Sequence, residues 1–191
     1  MGLTMSKTSL RLITPPAAPP VTLEAAKAWL RVDHDFEDAL ISALVVSATR
    51  LLDGRAGILG RCLEAQTWEL LLDAFPEAEI RLPLGPVASV ASVKFTDPEG
   101  AEGTVPAGDF ELDNFEAFGA WLVPTAPWPA TMETIHAVRV RFVAGTGTPE
   151  PLRETILAMV CAGYETRGAG RLLTPGILAD LAPFRRPVVA P

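Results

Sequence analysis

The sequence has few of the residue types on which most metal and nucleophile sites depend. It holds two cysteines and two histidines in 191 residues, and two cysteines alone cannot provide the spacing of a zinc site. A cysteine nucleophile also needs a histidine within hydrogen-bond reach. Cys161 falls beside an apolar helical stripe, and Cys62 has apolar neighbours, so both are predicted to be small buried hydrophobic residues. Such cysteine usage fits a reducing cytoplasm.

Long apolar runs and basic clusters are also missing from the sequence. No run approaches the ~18 apolar residues of a membrane span, which predicts no membrane association. The net charge is −7, and its excess lies in residues 66–147, which hold four basic and twelve acidic residues. A surface that grips phosphates needs clustered Lys and Arg. Since the sequence shows no such cluster, we expect no tight or sequence-specific DNA binding.

The few remaining candidates for chemistry have simpler explanations. His34 lies among four carboxylates between positions 33 and 38, where capping and the helix dipole account for acidic residues. His136 stands alone before a predicted strand. Gly145–Thr148 precedes a helix but lacks both the third glycine of a dinucleotide fingerprint and the Gly-Lys-Ser/Thr of a P-loop. We therefore predict no catalytic residue, no cofactor, no metal and no enzyme activity.

Apolar periodicity predicts three helices. Thr22 is a suitable N-cap, and Leu23, Ala26 and Leu30 form the stripe of a first helix. A second stripe runs from Phe36 and predicts a helix of roughly 20–25 residues that ends near Gly60. A third helix is predicted over residues 149–168, with Thr148 as its cap and Pro149 at its first position. Its stripe is formed by Leu152, Ile156, Met159 and Val160.

The segment between the second and third helices has the two-residue period of strands. The predicted strands are Gln66–Asp73, Glu79–Leu82, Val87–Thr96, Phe110–Asp113, Ala120–Val123 and His136–Val143. They are compatible with a small antiparallel sheet, a sandwich or a barrel. We predict an α+β chain, in which a helical bundle (21–65 and 148–171) carries an inserted antiparallel β-rich lobe (66–147).

The two ends of the chain are predicted to lie outside this body. Residues 15–20 are rich in proline and favour an extended conformation, so residues 1–20 are interpreted as a flexible arm, free or lying along a neighbouring subunit. Residues 172–191 contain Pro175, Pro183 and Pro187, which limit helices to short pieces, such as one or two turns after Thr174-Pro175. We expect this extended segment to be poorly ordered until it binds a partner.

The order of these segments resembles a known family. VTLEAAKAWLRVDHDFEDALI at Val21–Ile41 is followed by QTWEL at Gln66–Leu70, PEPLRETILAMVCAGYETRG at Pro149–Gly168 and LADLAPFRR at Leu178–Arg186. In this order they resemble the head–tail connector (adaptor) family of tailed bacteriophages and gene transfer agents, in the form with a β-rich insertion. The resemblance extends from Val21 to Arg186.

The resemblance implies a structural role in the virion or particle neck, after assembly in the bacterial cytoplasm. The protein would form a ring of twelve copies below the portal protein and would contact a downstream tail-connector (stopper) protein. DNA would pass through its channel without sequence-specific binding. Residues 172–191 would dock on the portal through Leu173, Ile177, Leu178, Leu181, Phe184, Arg185 and Arg186. The alternative is a small hydrolase or ligand-binding module with its site in the β-rich lobe.

Overall fold

A computed structural model describes residues 8–114, 118–168 and 170–185, and it confirms the α+β class. The chain divides into two compact units. The β unit contains the chain up to Pro15 together with Ala65–Thr146, and the helical unit contains Pro16–Glu64 and the chain from Gly147 onward.

The helices and strands follow the predicted order with two additional strands and one additional helix. The helices are α1 (Leu23–Leu30), α2 (Asp38–Leu52), α3 (Glu150–Glu165) and α4 (Pro175–Leu181). The strands are β1 (Ser9–Thr14), β2 (Gln66–Leu72), β3 (Ile80–Pro83), β4 (Val87–Thr96), β5 (Glu102–Thr104), β6 (Phe110–Asp113), β7 (Gly119–Pro124) and β8 (Val138–Ala144). Short 3₁₀ turns occur at Ala107–Asp109 and Ala182–Phe184.

The predicted apolar stripes meet in the core of the helical unit. This core is a single cluster of buried residues, which contains Ile41, Leu44, Val45, Ala48, Leu52, Leu152, Ile156, Met159 and Val160. Gly163 continues the α3 stripe, and a Cβ atom there would lie 2.6 Å from Leu44 Cδ2 and 2.7 Å from Leu172 Cδ2. A glycine is therefore needed where these side chains approach α3.

The predicted N-cap of α1 is confirmed, whereas the predicted end of α2 and the predicted N-cap of α3 are wrong. The Thr22 hydroxyl accepts the Ala25 N–H at 3.2 Å, as predicted. The prediction that the second helix continues to Gly60 is wrong, because α2 ends at Leu52 and the Asp53 carboxylate accepts the Leu63 N–H at 2.7 Å. The expected Thr148 cap is also wrong, since that hydroxyl instead donates to Glu64 at 2.8 Å.

The β unit contains two antiparallel sheets in its described residues. One sheet has the strand order β1-β2-β8-β4-β5, and the other has the order β3-β7-β6. In the five-stranded sheet, Trp68 pairs with Phe142 and Leu70 with Val140. Successive residues point to opposite faces of a sheet, so these residues form one apolar face, and Phe142, Val140 and Val93 on it are fully buried.

The interpretation of residues 1–20 as a flexible arm is wrong for part of the described chain. Ser9–Thr14 forms β1, which pairs antiparallel with β2 in the register Ser9 to Leu71 and Leu12 to Trp68. Pairing satisfies the backbone groups along one side of β2, which would otherwise form an open sheet edge. Within the described part of the predicted arm, Ser9–Thr14 is therefore an edge strand of the β unit.

Candidate interaction surfaces

The described part of the C-terminal segment, residues 172–185, contributes to the core of the helical unit, which contradicts the expectation of a poorly ordered, extended tail. Thr174 caps α4 by accepting the Ile177 N–H at 3.4 Å, and Pro175 occupies the first turn. Ile177 is 7% exposed and Leu181 is 0% exposed, and both belong to the same core cluster as Ile156. The fixed φ of Pro175 suits the first turn of a helix, so the short turns expected after Thr174-Pro175 form the helix α4.

The predicted docking residues are therefore divided between the core and the surface. Ile177 and Leu181 are buried, whereas Leu178 and Arg185 are exposed. Leu173 and Phe184 are half-buried and pack against the core. Arg186 lies outside the described residues.

A groove of about 500 Å³ lies beside α4, between it and the end of α3. Leu173 and Leu178 contribute its apolar lining, and Glu165 and Arg171 contribute charged groups. A surface that combines an exposed leucine with charges of both signs is suited to binding a protein segment rather than a small metabolite.

The end of α3 is attached to the start of α2 by a polar cluster. The Tyr164 hydroxyl and the Arg167 guanidinium both donate to the Glu37 carboxylate. The hydrogen bond from Tyr164, followed by that from Arg167, lowers the pKa of Glu37. These bonds fix the α3 end of the groove to the rest of the helical unit.

A second surface lies on the five-stranded sheet, on the face opposite its apolar side. Register places Arg11 beside Glu69, Glu69 beside Arg141 and Lys94 beside Arg139. Residues two apart on a strand share a face, so these side chains lie together. We call this surface the charged face; it consists of Arg11, Glu69, Lys94, Glu102, Arg139 and Arg141.

Ion pairs organise the charged face around two carboxylates. Glu69 is 3% exposed and accepts hydrogen bonds from Arg11 at 2.5 Å and Arg141 at 2.9 Å. Glu102 is exposed and pairs with Lys94 at 2.7 Å and with Arg139. Pairing between distant strands therefore brings together four cations that are isolated in sequence, and each of them is paired with Glu69 or Glu102.

The buried carboxylate predicts a measurable dependence of stability on pH. Burial raises the pKa of Glu69, but the hydrogen bonds from Arg141 and Arg11 outweigh it, so the pKa lies below its usual value. A group whose pKa is lowered on folding stabilises the protein above its unfolded pKa of about 4.3 and loses that contribution as the pH falls. We expect Glu69→Gln to lower the Tm at pH 7 and to flatten the fall in Tm between about pH 5 and pH 3.

The exposed carboxylate Glu133 provides a matched control for this titration. Glu133→Gln should follow the wild-type curve of Tm against pH. An unchanged acid slope in Glu69→Gln would show that the buried carboxylate does not contribute to acid unfolding.

A third candidate is an apolar groove of about 470 Å³ in the β unit. The buried residues Leu70 and Ile80 line it, together with Trp121, over whose ring the Arg81 guanidinium lies at 4.7 Å. Glu79 is the one carboxylate among its described lining residues, which include no histidine and no cysteine. The groove is where a ligand-binding module would hold its ligand, but its lining does not provide a nucleophile paired with a histidine base.

Both histidines have contacts with residues other than the cysteines. The His136 N–H donates to Asp73 at 3.0 Å, and His34 lies against the Phe36 ring at 5.4 Å. Cys62 is buried. Burial, together with Glu165, raises the pKa of the Cys161 thiol, which disfavours the reactive thiolate.

The acidic run near His34 is used in ion pairing. Asp35 and Asp38 each lie 2.7 Å from Lys27 Nζ. Across residues 8–114, 118–168 and 170–185, no group of three or more His, Cys, Asp and Glu side chains is placed to hold a metal ion. In the same part of the chain, no helix combines the length and apolar character that crossing a bilayer requires.

Solved structures share this fold, whereas no protein-family model and no curated protein matches the sequence. A chain in the structure of the virion of a native gene transfer agent particle is 24% identical with a TM-score of 0.76, over 95% of this chain and 97% of that chain. A chain in the neck of the empty particle, computed with C6 symmetry, is 23% identical with a TM-score of 0.77, over 95% and 97%. A chain in the neck of the native particle, computed with C12 symmetry, is 22% identical with a TM-score of 0.67, over 94% and 97%. The chain therefore has the same fold as proteins in structures of gene transfer agent particles and their necks.

Proposed function

We propose that this chain is a head–tail connector (adaptor) subunit, located in the neck of a gene transfer agent or a tailed bacteriophage particle. The observation that supports this most is the backbone likeness over 95% of the chain to chains in gene transfer agent structures. The sequence order of helices, β-rich lobe and helix points independently to the same family.

In this role the protein forms a ring, for which twelve copies are the expected number. Two of the similar structures are necks computed with C6 and C12 symmetry, which agrees with a ring of that size. The ring would lie below the portal protein, join the DNA-filled head to the tail and contact a downstream tail-connector protein. The net charge of −7 suits a DNA channel, since like charge reduces sticking of the duplex.

The surface beside α4 is the proposed portal contact. Leu178 and Arg185 are its exposed residues, and Leu173 and Phe184 support it from half-buried positions. Ile177 and Leu181 hold α4 against the core and thus position this surface without being exposed to the portal.

The function is tested by removing the gene from the particle-producing cell. We expect DNA-filled heads that lack tails, and restoration of complete particles when the wild-type gene is supplied. Electron microscopy of the two particle populations provides the measurement. Complete, infectious or gene-transferring particles in the absence of the protein would contradict the proposal.

Introducing a charge at the exposed leucine tests the portal contact separately. We expect Leu178→Glu to weaken retention on purified portal rings by about tenfold or more, because it places a carboxylate within an apolar contact. The Tm should change little, since Leu178 is 37% exposed. Met132→Glu is the matched control, because Met132 is 42% exposed in the β unit and should leave portal retention unchanged. Normal portal binding by Leu178→Glu would place the portal contact elsewhere.

A further inference from the structure

In the β unit, most of the basic residues lie on one surface and most of the acidic residues lie elsewhere. Four of the five basic residues among its described positions belong to the charged face, and the fifth is Arg81. The charged face has four cations and two carboxylates, an excess of two positive charges. The remaining carboxylates of this acidic unit are distributed over its other strands and loops.

The edge strand β6 carries a compact acidic pair. It is one of the two outer strands of the sheet β3-β7-β6, and Glu111 and Asp113 lie on its exposed side. Leu112 between them pairs with the fully buried Leu122, which fixes the orientation of the strand. Two residues along a strand span about 6.6 Å, and Arg139 and Arg141 on β8 have the same spacing.

We propose that the charged face of one copy binds the β6 edge of the next copy in the ring. The inference rests on the proposed function, because the ring follows from it. A cyclic ring joins neighbouring subunits through two different surfaces that complement each other. The charged face and the acidic edge strand are such a pair, and both belong to every copy.

The distribution of charge favours a second copy of the chain, and not DNA, as the partner that binds the charged face. Each cation of the charged face already shares Glu69 or Glu102, so the excess of two positive charges could neutralise few phosphates of a DNA duplex. A guanidinium has five N–H donors, and Arg139 and Arg141 are partly exposed with side-chain exposures of 35% and 45%. Each can therefore donate to a carboxylate on the neighbour while keeping its own partner.

The test uses two charge-reversed forms of the full-length protein. Lys94→Glu with Arg139→Glu makes the charged face acidic, and Glu111→Arg with Asp113→Arg makes the β6 edge basic. Lys94 and Arg139 pair with the exposed Glu102, so reversing them leaves Arg11 and Arg141 as partners of the buried Glu69. Circular dichroism and the Tm show that each variant is folded.

Sedimentation velocity of the purified proteins then measures self-association against protein and NaCl concentration. We expect wild-type association to weaken with salt, and each variant alone to associate at least about tenfold more weakly, since both of its contact surfaces then carry charge of the same sign. An equal mixture of the two variants should recover wild-type association, because every contact in an alternating ring again joins opposite charges. Lys94→Arg alone keeps all charges and the Arg139 guanidinium, and it should behave as wild type.

Several outcomes would overturn the inference. These are wild-type protein that stays monomeric at low salt, variants that associate normally alone, and a mixture that does not recover. A Glu77→Arg, Glu79→Arg variant could also be mixed with the charged-face variant. If that mixture, and not the mixture with the β6 variant, recovers wild-type association, the contact belongs to another acidic surface. Wild-type binding of duplex DNA that is lost in Lys94→Glu, Arg139→Glu, with self-association unchanged, would make the charged face a DNA surface. These results are independent of the gene-removal experiment, which tests the neck function itself.

Discussion

Deletion of residues 172–191 is expected to destabilise the helical unit severely. Ile177 and Leu181 lie in its core, and the loss of each buried aliphatic side chain costs about 2–5 kcal/mol. Together these losses approach the entire ~5–15 kcal/mol stability of a typical domain. Urea denaturation followed by far-ultraviolet circular dichroism, which reports helix content, measures the change.

Point substitutions in α4 show whether the loss of stability comes from the buried side chains of this helix or from truncation of the chain in general. Leu181→Ala should lower the free energy of unfolding by about 2–5 kcal/mol. Leu178→Ala on the same helix should cost less than about 1 kcal/mol, because its side chain is already exposed. A deletion that left helix content and Tm unchanged would instead support a tail that orders only on docking.

Ile156→Ala is expected to have the second large effect, a loss of about 2–5 kcal/mol in the free energy of unfolding. Ile156 is fully buried, and its cluster also contains Leu44 from α2. Glu154→Ala is the control on the same helix; Glu154 is exposed, so its change should stay within about 0.5 kcal/mol.

A double variant tests whether the two helices share one core. Residues that share a cavity couple by about 0.5–3 kcal/mol, so Leu44→Ala and Ile156→Ala together should deviate from the sum of the single changes. Denaturation of the four proteins measures this coupling. Small, additive losses would mean that the α2 and α3 stripes do not meet.

Much of the fold could be predicted from the periodicity of apolar residues. Ile156 and Val160 repeat at helical spacing, and Val138, Val140 and Phe142 alternate at strand spacing, because each must point into a core. These patterns are local, and burial enforces them along each element. The strands β2, β4, β6, β7 and β8 accordingly lie close to their predicted positions.

Elements whose stability comes from a partner were missed or only partly predicted. Strand β1 is short and has no strong pattern of its own, and it is held in place by pairing with β2. Strand β5 has three residues and is held by β4. Helix α4 has seven residues, too few to be stable alone, so it was predicted only as one or two turns within an extended tail. In each case tertiary contacts outweigh the local signal.

The candidate surfaces were only partly predictable for the same reason. Leu178 and Leu181 are three residues apart in α4, and sequence cannot show which of them faces the core before the packing of α4 is known. The charged face depends on register, which pairs Arg11 with Glu69 and Lys94 with Arg139 across long sequence separations. Alternation of charged and apolar residues on β8 was the one local signal for it.

The pairing of β1 with β2 has a consequence for synthesis of the protein on the ribosome. Ser9 emerges first, but its partner Leu71 follows only after the whole of α1 and α2 has been made. The central strand β8 and the helix α3 emerge later still. Neither unit can therefore be completed before the last third of the chain has been synthesised. Long-range pairing of this kind slows folding, and incomplete chains expose unpaired strand edges. We therefore expect nascent chains that stall before Val138 to depend on chaperones, whereas chains released beyond Leu181 can complete both units.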